Sequence, residues 1–222
     1  MTAQILLIIE LILCLITQVF LYKHYKTAGL YTYIIIALVL SSLMSLKVIT
    51  IYNFDVNLGI IPFVTIFTSS NILIQKSGPD TTKKIILTTS STFLVSYAIL
   101  YLVQMMDSSN INLFTSASYD NIFIESPRMY FANFVTILYS LLLNSKLYYY
   151  LKKMKGNILI SNLFSSIIIQ FLASILFVLI AYVFIKEPID IIKIIMIRYL
   201  ISLITSLLGT ISIYLTKKVA EE

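Results

Sequence analysis

Residues 62–84 read PFVTIFTSSNILIQKSGPDTTKK, an apolar run that acquires amides and then ends in a basic loop. Thr68, Asn71 and Gln75 are spaced three and four apart, so on a helix they share one face. An amide buried in a membrane costs free energy unless it finds a partner. A row of them is therefore either the lining of a polar path or a set of bonds joining neighbouring helices.

The rest of the chain supplies the membrane. Of 222 residues, 59% are hydrophobic and 12% charged, with a mean hydropathy of +0.95. A water-soluble domain of this length has too little polar surface to cover that apolar content, whereas a bilayer solvates it. Cys14 is the only cysteine and His24 the only histidine, which excludes an internal disulfide and puts a cysteine–histidine zinc site out of reach for want of ligands. No cofactor is expected. The start, MTAQILLIIELIL, lacks a basic leader and a small-residue cleavage site, so it reads as a retained helix.

A span needs about 20 mostly apolar residues, and seven such segments can be marked: 4–22, 29–52, 57–75, 84–106, 128–151, 160–185 and 190–216. The weakest boundary is Asn53 to Asp55. The expected fold is an all-α integral membrane protein, a bundle of about seven transmembrane helices in one polytopic domain over residues 1–222. The net charge of +6 does not point to nucleic acid, because the lysines gather at the ends of apolar segments. Lys23, Lys26, Lys76, Lys83, Lys84, Lys152, Lys153, Lys155, Lys217 and Lys218 all fall in alternate connections or the tail, and so on one side. By the positive-inside rule that side is cytoplasmic, which places the C-terminus inside and the N-terminus outside a cell membrane. The one long connection, 107–127, then lies outside, as a lid or a plain loop.

Three further spans carry a polar stripe at helical spacing: Asn133, Thr136, Ser140, Asn144; Asn162, Ser166, Gln170, Ser174; and Arg198, Ser202, Thr205, Gly209. These faces are expected to turn inward. The small hydroxyl residues suit helix packing. The amides and Arg198 are candidates for a solute, Arg198 as a donor toward an acceptor on it or as the partner of an acid such as Glu10. The triplet Tyr148, Tyr149, Tyr150 sits where an aromatic belt belongs, and Tyr139 or Phe171 would more readily face core or lipid than stack a ligand. There is no HExxH, no GxSxG and no phosphate-cradling glycine loop, so transport or binding is favoured over catalysis.

The run NILIQKSGPDTTKK resembles the D-x-x-x-E-x-x-G segment, with its small and basic residues, of the queuosine precursor transporter (VUT) family. SPRMYFANFVTILYSLLLNSKLYYYLK and SSIIIQFLASILFVLIAYVF resemble that family's R-x-x-x-A-S, Q-x-x-D and S-T-x-x-x-Q-x-x-D-x-x-x-F helices. On this resemblance Asn71, Gln75 and Asn144 stand at positions usually acidic, Asn133 replaces a serine, and Ala173 replaces the acid after Gln170. Ser42 stands where the second span often carries asparagine, while Gly78, Arg128 and Ala132 match. The resemblance implies a six-helix core with an extra N-terminal helix. It also implies a substrate site at Ser42, Asn71, Gln75, Asn133, Asn144 and Gln170, to which the stripe reading adds Arg198, and import of a 7-deazaguanine such as preQ0 or preQ1, a precursor of modified tRNA bases. Such a planar base would meet amides along its edges and apolar walls on its faces. Two other readings stay open: a membrane-embedded binding subunit of an ATP-driven vitamin-type uptake system, and a non-transporting assembly protein. The expected partners are the lipid bilayer and the solute, with a homo-oligomer open.

Overall fold

The computed structural model describes residues 3–51, 54–106 and 126–221; the proposed lid at 107–127 falls almost wholly outside them. Five helices are α1 (Ala3–Met44), α2 (Ile60–Gln104), α3 (Ser126–Lys155), α4 (Ile158–Tyr182) and α5 (Pro188–Glu221). Four of them, all but α3, are long and apolar enough to cross a membrane. Large apolar side chains cover the outer faces, among them Leu13, Ile16, Val95, Ile99 and Ile204. This is an all-α membrane protein, the lipid-facing surface taking the place that polar residues hold in a soluble bundle.

Two helices are each broken once. In α1 the break is at Lys26, with φ 51° and ψ −131°, and in α2 at Gly78, with φ 80° and ψ 169°. A Cβ on Gly29 would lie 2.3 Å from the carbonyl oxygen of Leu21. In an unbroken helix those residues would stand about 12 Å apart, so α1 doubles back at Lys26 and its arms touch through Gly29. In α2 the glycine supplies a backbone conformation closed to other residues, and Pro79 follows at the first position of the next arm, where its missing N–H is no loss. The second arm returns along the bundle, since Tyr97 stacks on Tyr130 of α3 with ring centroids 4.6 Å apart. The expected loop at 76–83 is thus helix on either side of one residue. Gly29→Ala is expected to destabilise by about 1–3 kcal/mol, as overpacking against backbone does, read as a lower melting temperature in detergent.

The second expected span, 29–52, ends early. Helix α1 stops at Met44, and Val48–Ile51 (β1) pairs antiparallel with Phe54–Asn57 (β2), Thr50 opposite Asp55. Four consecutive residues, Val-Ile-Thr-Ile, are β-branched and suit a strand better than a helix, although their apolarity imitates a span. Asn57 fastens the hairpin, its Nδ2 donating to the Ser45 carbonyl at 2.7 Å and its Oδ1 accepting from the Gly59 N–H at 2.9 Å.

The first arm of α2 is the axis of the bundle. Every residue from Gly59 to Ile74 is buried. Around it, Gln18 of α1 donates to the Thr65 carbonyl at 2.7 Å and accepts from Ser212 of α5 at 2.9 Å. Tyr33 meets the Thr65 hydroxyl at 2.7 Å. Thr68 packs on Gly209 of α5, where a Cβ would come within 2.7 Å of its hydroxyl. Arg128 holds the far end of α4, donating from Nε to the Ile180 carbonyl at 2.6 Å and from Nη2 to that of Val183, carbonyls that a helix end leaves free.

Candidate functional site

The three stripes and the α2 amides all turn inward. Asn133, Thr136, Ser140, Asn144, Asn162, Ser166, Gln170, Ser174, Arg198, Ser202 and Thr205 are buried, as are Thr68 and Asn71. Some of them form a bonded layer, and others lack partners among the described residues.

The bonded layer lies toward the lysine-rich end. Asn144 of α3 donates from Nδ2 to Asn71 Oδ1 at 2.7 Å; Asn71 of α2 donates from Nδ2 to Asn162 Oδ1 at 2.7 Å. Asn162 of α4 donates to the Thr210 hydroxyl of α5 at 2.9 Å. Four helices are thereby joined by three carboxamides. Nearer the end, Gln75 donates to the Tyr148 hydroxyl at 2.6 Å. Tyr148 is buried, unlike its exposed neighbours Tyr149 and Tyr150, so only the latter two suit the expected aromatic belt. Lys26 and Lys76 both lie over the Tyr22 ring, at 5.9 and 5.8 Å from its centroid. Just past the apolar part of α3, burial and the Lys76 ammonium hold Lys152 below the ordinary lysine value. Lysines from three separate connections thus meet at one end of the bundle, as their alternation requires.

The other layer is at mid-depth. Arg128 at Ile180 and the Asn71-bridged Asn144 and Asn162 set the antiparallel register of α3 against α4. That register brings Thr136 and Ser140 to the depth of Gln170, and Asn133 to that of Ser174 and Phe177. Neither side-chain polar atom of Asn133 or of Gln170 has a hydrogen-bond partner among the described residues, and the same holds for the hydroxyls of Thr136, Ser140, Ser174, Ser69 and Ser70. Gln170 is 1% exposed and Asn133 0%. Buried polar groups are almost always satisfied, so a cluster of orphans marks a place where something else supplies the bonds.

Above this layer Arg198 lies against two rings, its guanidinium carbon 3.9 Å from the Phe177 centroid and 4.9 Å from that of Phe63. Glu10 does not pair with it; the ion pair found among the described residues is Lys193 with Asp190 at 3.1 Å. Arg198 instead borders a cavity of about 240 Å³ that opens at the hairpin end past Asn57, Asp55, Tyr182 and Lys186.

Of the expected site residues, then, Asn71 and Asn144 bond each other, Gln75 bonds Tyr148, and Asn133, Gln170 and Arg198 are short of partners. Ser42 donates to the Leu38 carbonyl of its own helix at 3.0 Å and touches none of the others by a hydrogen bond. Gln18, Asn162 and Tyr148 also belong to the buried polar framework, though none of them is among the expected solute contacts. Gln18 and Tyr148 lie in stretches that read as plain span and belt, whereas Asn162 was marked by its stripe.

A multi-pass helical bundle whose polar groups line its interior rather than its surface, several of them unsatisfied, defines a membrane protein built around a polar core. The chain matches the family described as "Putative vitamin uptake transporter" over residues 57–216, and it belongs to that family. The match takes in α2 to α5 and leaves out α1, so Ser42 lies beyond it. No curated protein and no solved structure matches the chain.

Proposed function

We propose that the protein imports a small planar solute of the purine type, a 7-deazaguanine, through a site between α3 and α4 at mid-depth. The observation that carries this is the pair of unpartnered carboxamides, Asn133 and Gln170, buried at neighbouring depths on facing helices. Each offers donors and an acceptor, the complement of the alternating edge of such a base. Asn71, Asn144 and Gln75 form the floor on the lysine side, and Arg198 the roof. On this reading the chain crosses seven times, the arms of α1 and α2 counting separately, with the hairpin end outside and the lysine end in the cytoplasm. The test is uptake in cells that cannot make the precursor: with the protein expressed, queuosine-type tRNA modification is expected at low external 7-deazaguanine. If membrane-inserted protein gives none, this cargo is excluded.

A second reading, a binding subunit working with an ATP-driven partner, is equally compatible with the family's vitamin-uptake description. Co-purification of an ATPase in mild detergent distinguishes it from a self-sufficient importer.

A further inference from the structure

The cavity at the hairpin end contains a cation with no counter-ion among the described residues. Arg198 is 3% exposed, and its Nη1 has no acceptor among the described residues. Among the described residues the charged groups around the cavity are Asp55 from β2, Lys186 from the turn before α5, and Arg198 itself, so these walls carry an excess of positive charge. Asp55 accepts from the Thr50 hydroxyl at 3.2 Å and makes no ion pair with Arg198. Asn57 is not the acceptor either: its Oδ1 accepts from the Gly59 N–H, and Arg198 Nη1 makes no hydrogen bond with it. The two aromatic faces return only part of what desolvating a guanidinium costs. The rest calls for an oxygen or ring nitrogen brought in from outside.

We propose that this cavity selects solutes by charge: it admits the carboxylate or carbonyl edge of a small planar molecule, which accepts from Arg198 Nη1 while its ring lies near Phe177, and it rejects cations. The planar fork of a guanidinium suits two adjacent acceptors, which a carboxylate or the oxygen and nitrogen of a lactam both present. A volume of about 240 Å³ lies below the range for drug-sized ligands and suits one small ring system. The proposal rests on the importer reading for its cargo: among 7-deazaguanines it favours a neutral 7-substituent over a protonated aminomethyl group.

Three probes of one shape and different charge test it: benzoate, benzamide and benzamidine, titrated against the full-length protein in phosphatidylcholine nanodiscs, which hold no anionic headgroup. Benzoate is expected to bind at least tenfold more tightly than benzamidine, with benzamide between. Arg198→Met should abolish the preference, and Arg198→Lys should retain part of it; if the methionine variant does not accumulate, the wild-type ratio and the lysine variant decide. Equal binding of benzoate and benzamidine, no benzoate binding, or benzoate binding unchanged in the variants would overturn the proposal. So would stabilisation by added phosphatidylglycerol that depends on Arg198 and excludes benzoate, because the occupant is then a lipid headgroup. Deazaguanine binding on the same discs separates the two claims. Its absence alongside charge preference removes the cargo and leaves the filter, whereas its presence without charge preference does the reverse.

Discussion

Gln170→Leu is expected to weaken solute affinity by roughly tenfold or more, the equivalent of about 1–3 kcal/mol for a lost buried partner, while leaving the protein at least as heat-stable as the parent. The two halves of that result come from one observation. The Gln170 side chain is 1% exposed and bonds nothing among the described residues, so removing it takes away no hydrogen bond to them. It also relieves the standing cost of a desolvated amide, and leucine is close in size. A residue that joined helices would behave in the opposite way, losing stability with affinity intact. Uptake kinetics and thermal melting on the same preparation read both. Normal affinity in the variant would remove Gln170 from the site.

Asn71→Leu is expected to act chiefly on stability, by about 2–4 kcal/mol. The substitution leaves Asn144 Nδ2 and Asn162 Oδ1, both now held at 2.7 Å, without partners in the buried interior. Each stranded group costs about 1–3 kcal/mol, and the lower part of that range applies because interhelical bonds in membranes average less than the water-based figures. Asn144→Leu strands one group and should lose about half as much. Melting temperatures of the two single variants and the double variant check this; additive losses would mean that the pair is not coupled.

Much of this arrangement could be read before the structure. Stripes such as Asn162, Ser166, Gln170, Ser174 are legible because a lipid-exposed helix tolerates polar residues on one face only, and all four are buried. Lysine alternation showed which connections share an end. The hairpin was hidden because Val48–Ile51 is apolar enough to pass for the end of a span, and hydropathy does not distinguish strand from helix over four residues. The reversals at Lys26 and Gly78 were legible as loops and not as single-residue breaks, since lysine gives no warning of a positive φ. Which stripe residues would find one another was beyond sequence reading. Asn133 and Asn144 occupy equivalent places in one stripe, yet one is unpartnered and the other bridges to Asn71, a difference fixed by where α2 passes α3.

The carboxamide chain also has a polarity. Thr210 donates its single hydroxyl proton to the Ser206 carbonyl at 3.1 Å, and a carbonyl cannot return it. The hydroxyl oxygen must therefore accept from Asn162, which turns the Asn162 oxygen toward Asn71, which in turn sets the Asn71 oxygen toward Asn144. Three amide orientations, each reversible alone, are dictated by one backbone carbonyl on α5. The sequence of choices ends at Asn144 Oδ1, which is left facing the interior with no donor. Asn144 Oδ1 and Arg198 Nη1 are thus an acceptor and a donor without partners among the described residues, at opposite ends of the buried polar stripes.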